Sequence, residues 1–271
     1  MNPKLSIIIP CYNSSLTLND TIISVISQSF IDWEIILVND GSTDNTDTIS
    51  LAWSKKNPRI RYFSKKNEGL AKTRNFAISK ADGKYILPLD SDNLVEKDFA
   101  RKAIEILDSN QFIGVVHGNA TFFGEKTGVW KIDKFDFKKI LAFNYIDACA
   151  IYRKALWDEV GGYDENMPFQ GHEDWDFWIK LGLINVNFQH LNEITFKYFV
   201  SSNSMIRQMD ESKFLSNQDY LTRKYTRNFH NSYVQLLHEN TSIVSGLVKN
   251  ASAKALLYVL FNRIKNRVWK K

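Results

Sequence analysis

The 271 residues are 44% hydrophobic and 24% charged, ordinary globular composition with enough length for one large α/β domain and an appendage. Two distant cysteines, Cys11 and Cys149, argue against a disulfide framework and point to a reducing compartment. The net charge of +5 is concentrated at the end: from Lys249 onward there are seven basic residues and no acid, so the remainder is close to neutral.

The opening MNPKLSIIIPCYN holds an apolar run too short for a signal-peptide core, and no segment reaches the roughly 18 apolar residues of a membrane span. The chain is therefore expected in the cytoplasm, with a peripheral contact on the inner face of the membrane left open. Residues 5–9 and 34–38 read as buried strands. Between them Leu16, Ile22, Ile23 and Ile26 recur near helical spacing behind a cap in Asn13-Ser14-Ser15. Residues 44–56 predict a second helix, 60–63 a third strand, 70–80 a third helix and 84–89 a fourth strand. This alternation predicts an α/β fold with a mainly parallel, Rossmann-like sheet and flanking helices. Further on, short strands are expected at 113–116 and 146–152, and a helix at 153–160. A Gly-rich turn, GGYDENMPFQGHED, then leads to a helix from near Asp174 and a strand at 194–200. Beyond Met209 the chain reads as helix only, which divides it into a domain at 1–210 and a helical extension at 211–271.

In parallel sheets of this kind ligands sit beyond the carboxyl ends of the strands. Those ends carry PCYNSS (10–15), NDGSTD (39–44) and DSDN (90–93). Turn chemistry accounts for Gly41 to Asp44 but less well for Asp40, whose carboxylate can accept hydrogen bonds from a nucleobase N–H or ribose hydroxyls. Lys72 and Arg74 fall early in a helix, where cations oppose the dipole unless an anion such as diphosphate sits there. Solvated charge is the alternative, a stronger one for Lys72 than for Arg74. Asp90 and Asp92 end an apolar strand and repel each other until a divalent cation neutralises them. Hard oxygen ligands suit Mg²⁺ or Mn²⁺, with substrate phosphates completing the shell; a turn or cap is the competing reading. Without cation and nucleotide this corner is expected to be mobile. Glu173 or Asp174 could cap the helix that carries Trp175, Trp178, Ile179 and Leu181, or project into a cleft and take a proton from an acceptor hydroxyl. His172 reads as a metal ligand or as polar packing. The late aromatics Trp175, Phe177, Trp178, Phe196, Tyr198 and Phe199 suit sugar stacking if they line a cleft, and core filling if they do not.

Three stretches together resemble a family 2 glycosyltransferase of the GT-A fold: SIIIPCYNSSLTLNDTIISVISQSFIDWEIILVNDGSTDNT (6–46), NEGLAKTRNFAISKADGKYILPLDSDN (67–93) and GGYDENMPFQGHEDWDFWIKL (161–181). The resemblance implies that Pro10, Tyr12 and Asn13 line the base and ribose pocket and that Asp40 binds uracil or ribose. Arg74, with Lys72 beside it, would lie near the diphosphate. Asp90 and Asp92 match the metal-binding Asp-x-Asp, with Asp92 the direct ligand and Asp90 nearer the ribose. Asp174 matches the catalytic base, and Glu173 would contact acceptor or donor sugar. SSNSMIR (201–207) resembles the loop that closes over the diphosphate, which adds Ser204 and Arg207. Asn39 and Asn93 stand where relatives often carry Asp.

The implied reaction is inverting, moving a sugar from a nucleotide diphosphate donor, UDP by preference, with Mn²⁺ or Mg²⁺. The expected acceptor is a hydroxyl of a glycan or lipid-linked glycan, as in bacterial surface polysaccharide synthesis; nucleic acid is not an expected partner. A non-catalytic nucleotide-sugar or glycan-binding module of the same fold is the alternative. A haloacid dehalogenase-type phosphatase would carry its Asp-x-Asp after the first strand, and a nicotinamide enzyme would show Gly-x-Gly-x-x-Gly there. In the tail, Leu257, Leu260 or Phe261, Ile264 and Val268 recur at helical spacing beside basic residues. That pattern fits a helix lying on an anionic membrane, or one packed on the domain or on a partner.

Overall fold

A computed structural model describes residues 2–202, 204, 207, 209–235 and 238–239. The expectations attached to the basic tail at 249–271 lie outside the described residues. In chain order the elements are β1 (Leu5–Cys11), α1 (Leu18–Ile26), β2 (Trp33–Asp40), α2 (Thr46–Lys56), β3 (Ile60–Lys65), α3 (Leu70–Lys80), β4 (Tyr85–Pro88) and β5 (Leu94–Val95). They continue with α4 (Phe99–Ser109), β6 (Ile113–Gly124), β7 (Gly128–Trp130), α5 (Phe137–Ala142), β8 (Ile151–Arg153), α6 (Lys154–Glu159), α7 (Glu173–Leu183), β9 (Asn187–Val200) and α8 (Glu211–Lys224). A compact body runs through Leu221, and a second unit begins at Thr222. Among the described residues no helix is long and apolar enough to cross a membrane.

The sheet order is β3-β2-β1-β4-β8-β6-β9-β5, with β7 added to β6. Strands β1 and β2 are buried along their whole length, the near-continuous apolar runs required when helices cover both faces of a sheet. The first four strands of the order are parallel, and beyond β4 the sheet is mixed, with β8 antiparallel to both β4 and β6. Chain order reverses at β1, which has β2 on one side and β4 on the other, so a crevice opens beyond their carboxyl ends. The β1–β4 register ends at Ile8 opposite Pro88, with Pro10 just beyond. Prolines cannot donate to a ladder, and both stand where it stops.

Several expected elements change. Helix α1 begins at Leu18 behind Thr17, without a side-chain cap from Asn13-Ser14-Ser15. Its buried face is Leu18, Thr21, Ile22 and Val25, while Leu16 is 95% exposed and Ile23 and Ile26 point outward. Residues 13–15 are committed instead to the loop after β2, so the helix starts later and rotates its face. Strand β8 is only three residues long, and the chain at 146–150 runs as loop. Strands β6 and β9 are longer than expected because they pair with each other across three register shifts, which break the alternation of side chains. Trp175, Phe177, Trp178 and Phe196 are core residues, and the indole N–H groups of Trp175 and Trp178 donate to Ile140 O and Ile146 O. Of the late aromatics only Tyr198 and Phe199 stay partly open.

Candidate active site

The loops after β1 and β2 lock into one ledge. Asn13, at φ 50, donates its backbone N–H to Ser42 Oγ (2.9 Å), and its Oδ1 accepts from Thr43 N (2.8 Å). A short polar side chain that tolerates the left-handed region suits that place. Asp44 accepts from Ser15 N through one oxygen and from Thr46 N and Oγ1 through the other. Burial opposes its charge, but these donors win and pull its pKa down to about 2. Asn39 accepts from Ser42 N and donates to Asp47 and Tyr62, donations that an Asp could not make. Pro10 is buried in β1, whereas Tyr12 is 53% exposed on the ledge.

Asp40, at the end of β2, is buried and holds the start of α3. Its Oδ1 accepts from Glu68 N (3.0 Å) and Lys65 Nζ, and its Oδ2 from Gly69 N (2.9 Å). A carboxylate offers about four acceptor positions, so one remains for a ligand. The Asp-Ser-Asp loop is cross-tied rather than slack. Ser91 Oγ meets Ser14 Oγ at 2.6 Å, Thr17 Oγ1 donates to Ser91 O (2.8 Å), and Asn93 Oδ1 accepts from Phe199 N (2.9 Å). Asn93 is thus a buried structural amide, neutral where a second carboxylate would have added repulsion.

Arg74 is paired through both terminal nitrogens of its guanidinium, while its buried Nε has no hydrogen-bond partner among the described residues. Its guanidinium, 2% exposed, donates through Nη2 to Asp90 Oδ1 (2.6 Å) and through Nη1 to Glu173 Oε1, and it packs over the Tyr163 ring. Glu173 completes its own shell with Gly171 N (2.9 Å). Lys72, two residues earlier on α3, lies apart, in a cleft with Glu68, Asn75, Phe76 and Trp157. Side chains at i and i+2 do not share a helix face, so the fold separates these two cations. His172 is packing: Asn217 Nδ2 donates to its Nδ1 (3.0 Å), and Trp175 and Phe214 meet its ring edge-on. Glu125 accepts from Ser202 N and lies 3.6 Å from Arg207 Nη1, while Ser204 N donates to Ser201 O.

Asp174, at the start of α7, accepts from Asn144 Nδ2 (3.1 Å) and Trp175 N (2.8 Å). Burial, then Glu173, push its carboxyl well above the usual range, with Asp147 adding and Arg74 opposing. Burial and Asp90 raise Asp92 to about 7. Burial, Asp90 and Asp92 raise Asp147, on the loop before β8, to about 7 as well. Tyr198 is raised by burial and by Asp147, Asp90, Asp92 and Asp174. Carboxylates from the loop after β4, the loop before β8 and the start of α7 therefore lie within electrostatic reach of one another, in one basin. Asp147 is the member that sequence reading missed. Its signal was a single charge inside the apolar stretch NYIDACAIY, where a turn does not explain it.

Among the described residues no three His, Cys, Asp or Glu side chains converge to cage a metal unaided. Burial first, and Asp90 after it, disfavour the charged forms of Asp92 and Asp147, a setting that fits a divalent cation, since hard oxygens from one or two carboxylates with waters and phosphates are how Mg²⁺ is usually held.

The family model described as Glycosyl transferase family 2 matches residues 6–161. A glycosyltransferase of Rickettsia bellii (strain RML369-C), itself uncharacterized, is 32% identical over 186 residues, 68% of this chain and 27% of the relative. Chondroitin synthase of Pasteurella multocida (strain Pm70) is 28% identical over 250 residues, 89% of this chain and 26% of that one. The chain thus spans about a quarter of the length of these relatives. Among solved structures, S. aureus TarS 1-349 in complex with UDP-GlcNAc superposes with a TM-score of 0.66 at 20% identity, covering 93% of this chain and 77% of that one. At that identity the likeness is one of fold, the GT-A architecture. A sheet whose crevice, Asp-x-Asp loop and acidic helix start fall where the motifs led them to be expected, joined to a family match over more than half the chain, places this protein in glycosyl transferase family 2.

Proposed function

We propose that the protein transfers a sugar from a nucleotide diphosphate, UDP by preference, to a hydroxyl of a glycan, with inversion at the anomeric carbon. The observation that carries this is the basin in which Asp90, Asp92, Asp147 and Asp174 meet beyond the sheet, next to the Tyr12–Asn13 ledge. A relative that makes chondroitin and a structural neighbour bound to UDP-GlcNAc support polysaccharide synthesis and that nucleotide. The base and ribose lie on the ledge of Tyr12, Asn13 and the remaining acceptor position of Asp40. Asp174 removes the proton from the attacking hydroxyl; burial and Glu173 raise its carboxyl, which makes its carboxylate a stronger base than a solvated one. Arg74 positions Asp90 and Glu173 through its two hydrogen bonds, and its positive charge offsets part of theirs near the diphosphate. Mn²⁺ or Mg²⁺ would be held by Asp92 with Asp90 and would neutralise charge on the departing diphosphate. Arg207, on leaving Glu125, and Ser204 approach the diphosphate. A lipid-linked glycan is the acceptor class that a membrane-facing tail would serve.

Nucleotide release from a panel of nucleotide sugars with Mn²⁺ tests the reading. UDP-sugars should release UDP fastest, and a chelator should stop it. No release from any donor would contradict it.

A further inference from the structure

The sheet places a second aromatic surface beside the carboxylates. Phe122 on β6 is the register partner of Tyr198 on β9, and Trp130 on β7 stands opposite Ala120. The rings of Phe122 and Trp130 stack with centroids 5.8 Å apart and planes 6° apart. Tyr198 meets both edge-on, at 6.1 and 5.7 Å. Unlike the buried aromatics of α7, all three remain partly open, on a side of β6 where β7 is the last strand. Lys126 Nζ lies 3.9 Å over the Phe122 ring, so of the stacked pair Trp130 is taken as the ring that receives a ligand.

Two observations connect this surface to the basin. Phe199 N, next to Tyr198, donates to Asn93 and so ties β9 to the Asp-Ser-Asp loop. The Tyr198 hydroxyl is itself within electrostatic reach of Asp147, Asp90, Asp92 and Asp174. The nucleoside ledge lies at the ends of β1 and β2, and β4 and β8 intervene before β6. A ring on the triad therefore approaches from the side opposite the nucleoside.

We propose that Phe122, Trp130 and Tyr198 form the acceptor subsite, where a pyranose of the receiving glycan lays its C–H face on Trp130 and turns its hydroxyl edge toward Asp174. The chemistry matches: an aromatic face takes the apolar side of a sugar, and the carboxylates take its hydroxyls. This rests on the glycosyltransferase reading for its direction of transfer, and its test is separable from that reading.

A printed array of pyranose oligosaccharides is probed with wild type, Trp130→Phe, Trp130→Ile and, as a remote control, Phe112→Ala; Phe112 is 74% exposed at the start of β6. Trp130→Ile keeps a β-branched apolar side chain on the edge strand and removes only the ring, and thermal unfolding verifies its fold. Wild type, Trp130→Phe and Phe112→Ala should bind the same glycans, and Trp130→Ile should bind them about tenfold more weakly or not at all. Binding undiminished in folded Trp130→Ile, or no glycan bound by wild type, overturns the subsite. Nucleotide release by wild type is measured separately. Release without glycan binding leaves the glycosyltransferase reading standing and removes the subsite. Glycan binding lost in Trp130→Ile, with no release from any donor, keeps the subsite and removes that reading.

Discussion

Arg74 is buried between Asp90, on the loop after β4, and Glu173, at the start of α7. A buried charge that loses its partner is costly, because nothing else solvates it. Replacing Arg74 with Met should therefore destabilise the protein by about 3–5 kcal/mol in urea unfolding. Lys, a point charge without the guanidinium fork, should recover only part of this. A loss below about 1 kcal/mol for Met would mean that the ion pairs do not hold the site together. The raised carboxyls add a pH signature. Asp92 and Asp147 move from the usual 3.8 to about 7, so the folded state binds more protons than the unfolded one between those values. Their stabilising effect is full below pH 3.8 and disappears as pH rises through about 7. Unfolding free energy measured without nucleotide or metal should accordingly fall from about pH 5 to about pH 8 and fall less in Asp147→Asn. An unchanged slope in that variant would remove Asp147 from the basin. At this scale residue type and strand-end position made Asp90, Asp92, Glu173 and Asp174 legible. The partners of Arg74 were not, because Glu173 lies 99 residues away and only the fold brings it close.

The elements show the same division. Buried parallel strands and the helices between them announce themselves by apolar runs and by period, and the strands from 5 to 88 followed that reading closely. Where side chains serve a loop instead of a helix, period misleads: Leu16 looked like part of the apolar face and is instead the exposed corner of a loop fastened to residues 42–46. Register shifts between β6 and β9 hid two long strands for a related reason. The junction of α3 with the loop before α7 gives a test at this scale. Gly69, at φ 94 and ψ 168, precedes α3, donates to Asp40, and a Cβ there would stand 2.7 Å from Gln170 Nε2. Gln170 Oε1 in turn accepts from Leu70 N (2.8 Å). Gly69→Ala should cost about 1–3 kcal/mol and weaken donor binding by calorimetry. Ala tolerated at no cost would show that this backbone conformation is not required.

At the scale of the whole molecule, the sheet divides the work. The β1 and β2 ends carry the Tyr12–Asn13 ledge, the β4 end carries Asp90 and Asp92, and the irregular half brings Asp147, Asp174 and the aromatic triad to the other side. The parallel half is read from sequence because its contacts are local and regular. The mixed half depends on pairings between distant segments, and there neither the length of β9 nor the place of Asp147 could be foreseen. The central claim is that the carboxylate basin performs sugar transfer with Asp174 as base. It is tested most directly by measuring UDP release from a UDP-sugar by wild type and Asp174→Asn, with donor affinity determined calorimetrically in both. The expected result is retained affinity with a rate lowered by about 10²–10⁴; a full rate in Asp174→Asn would contradict it.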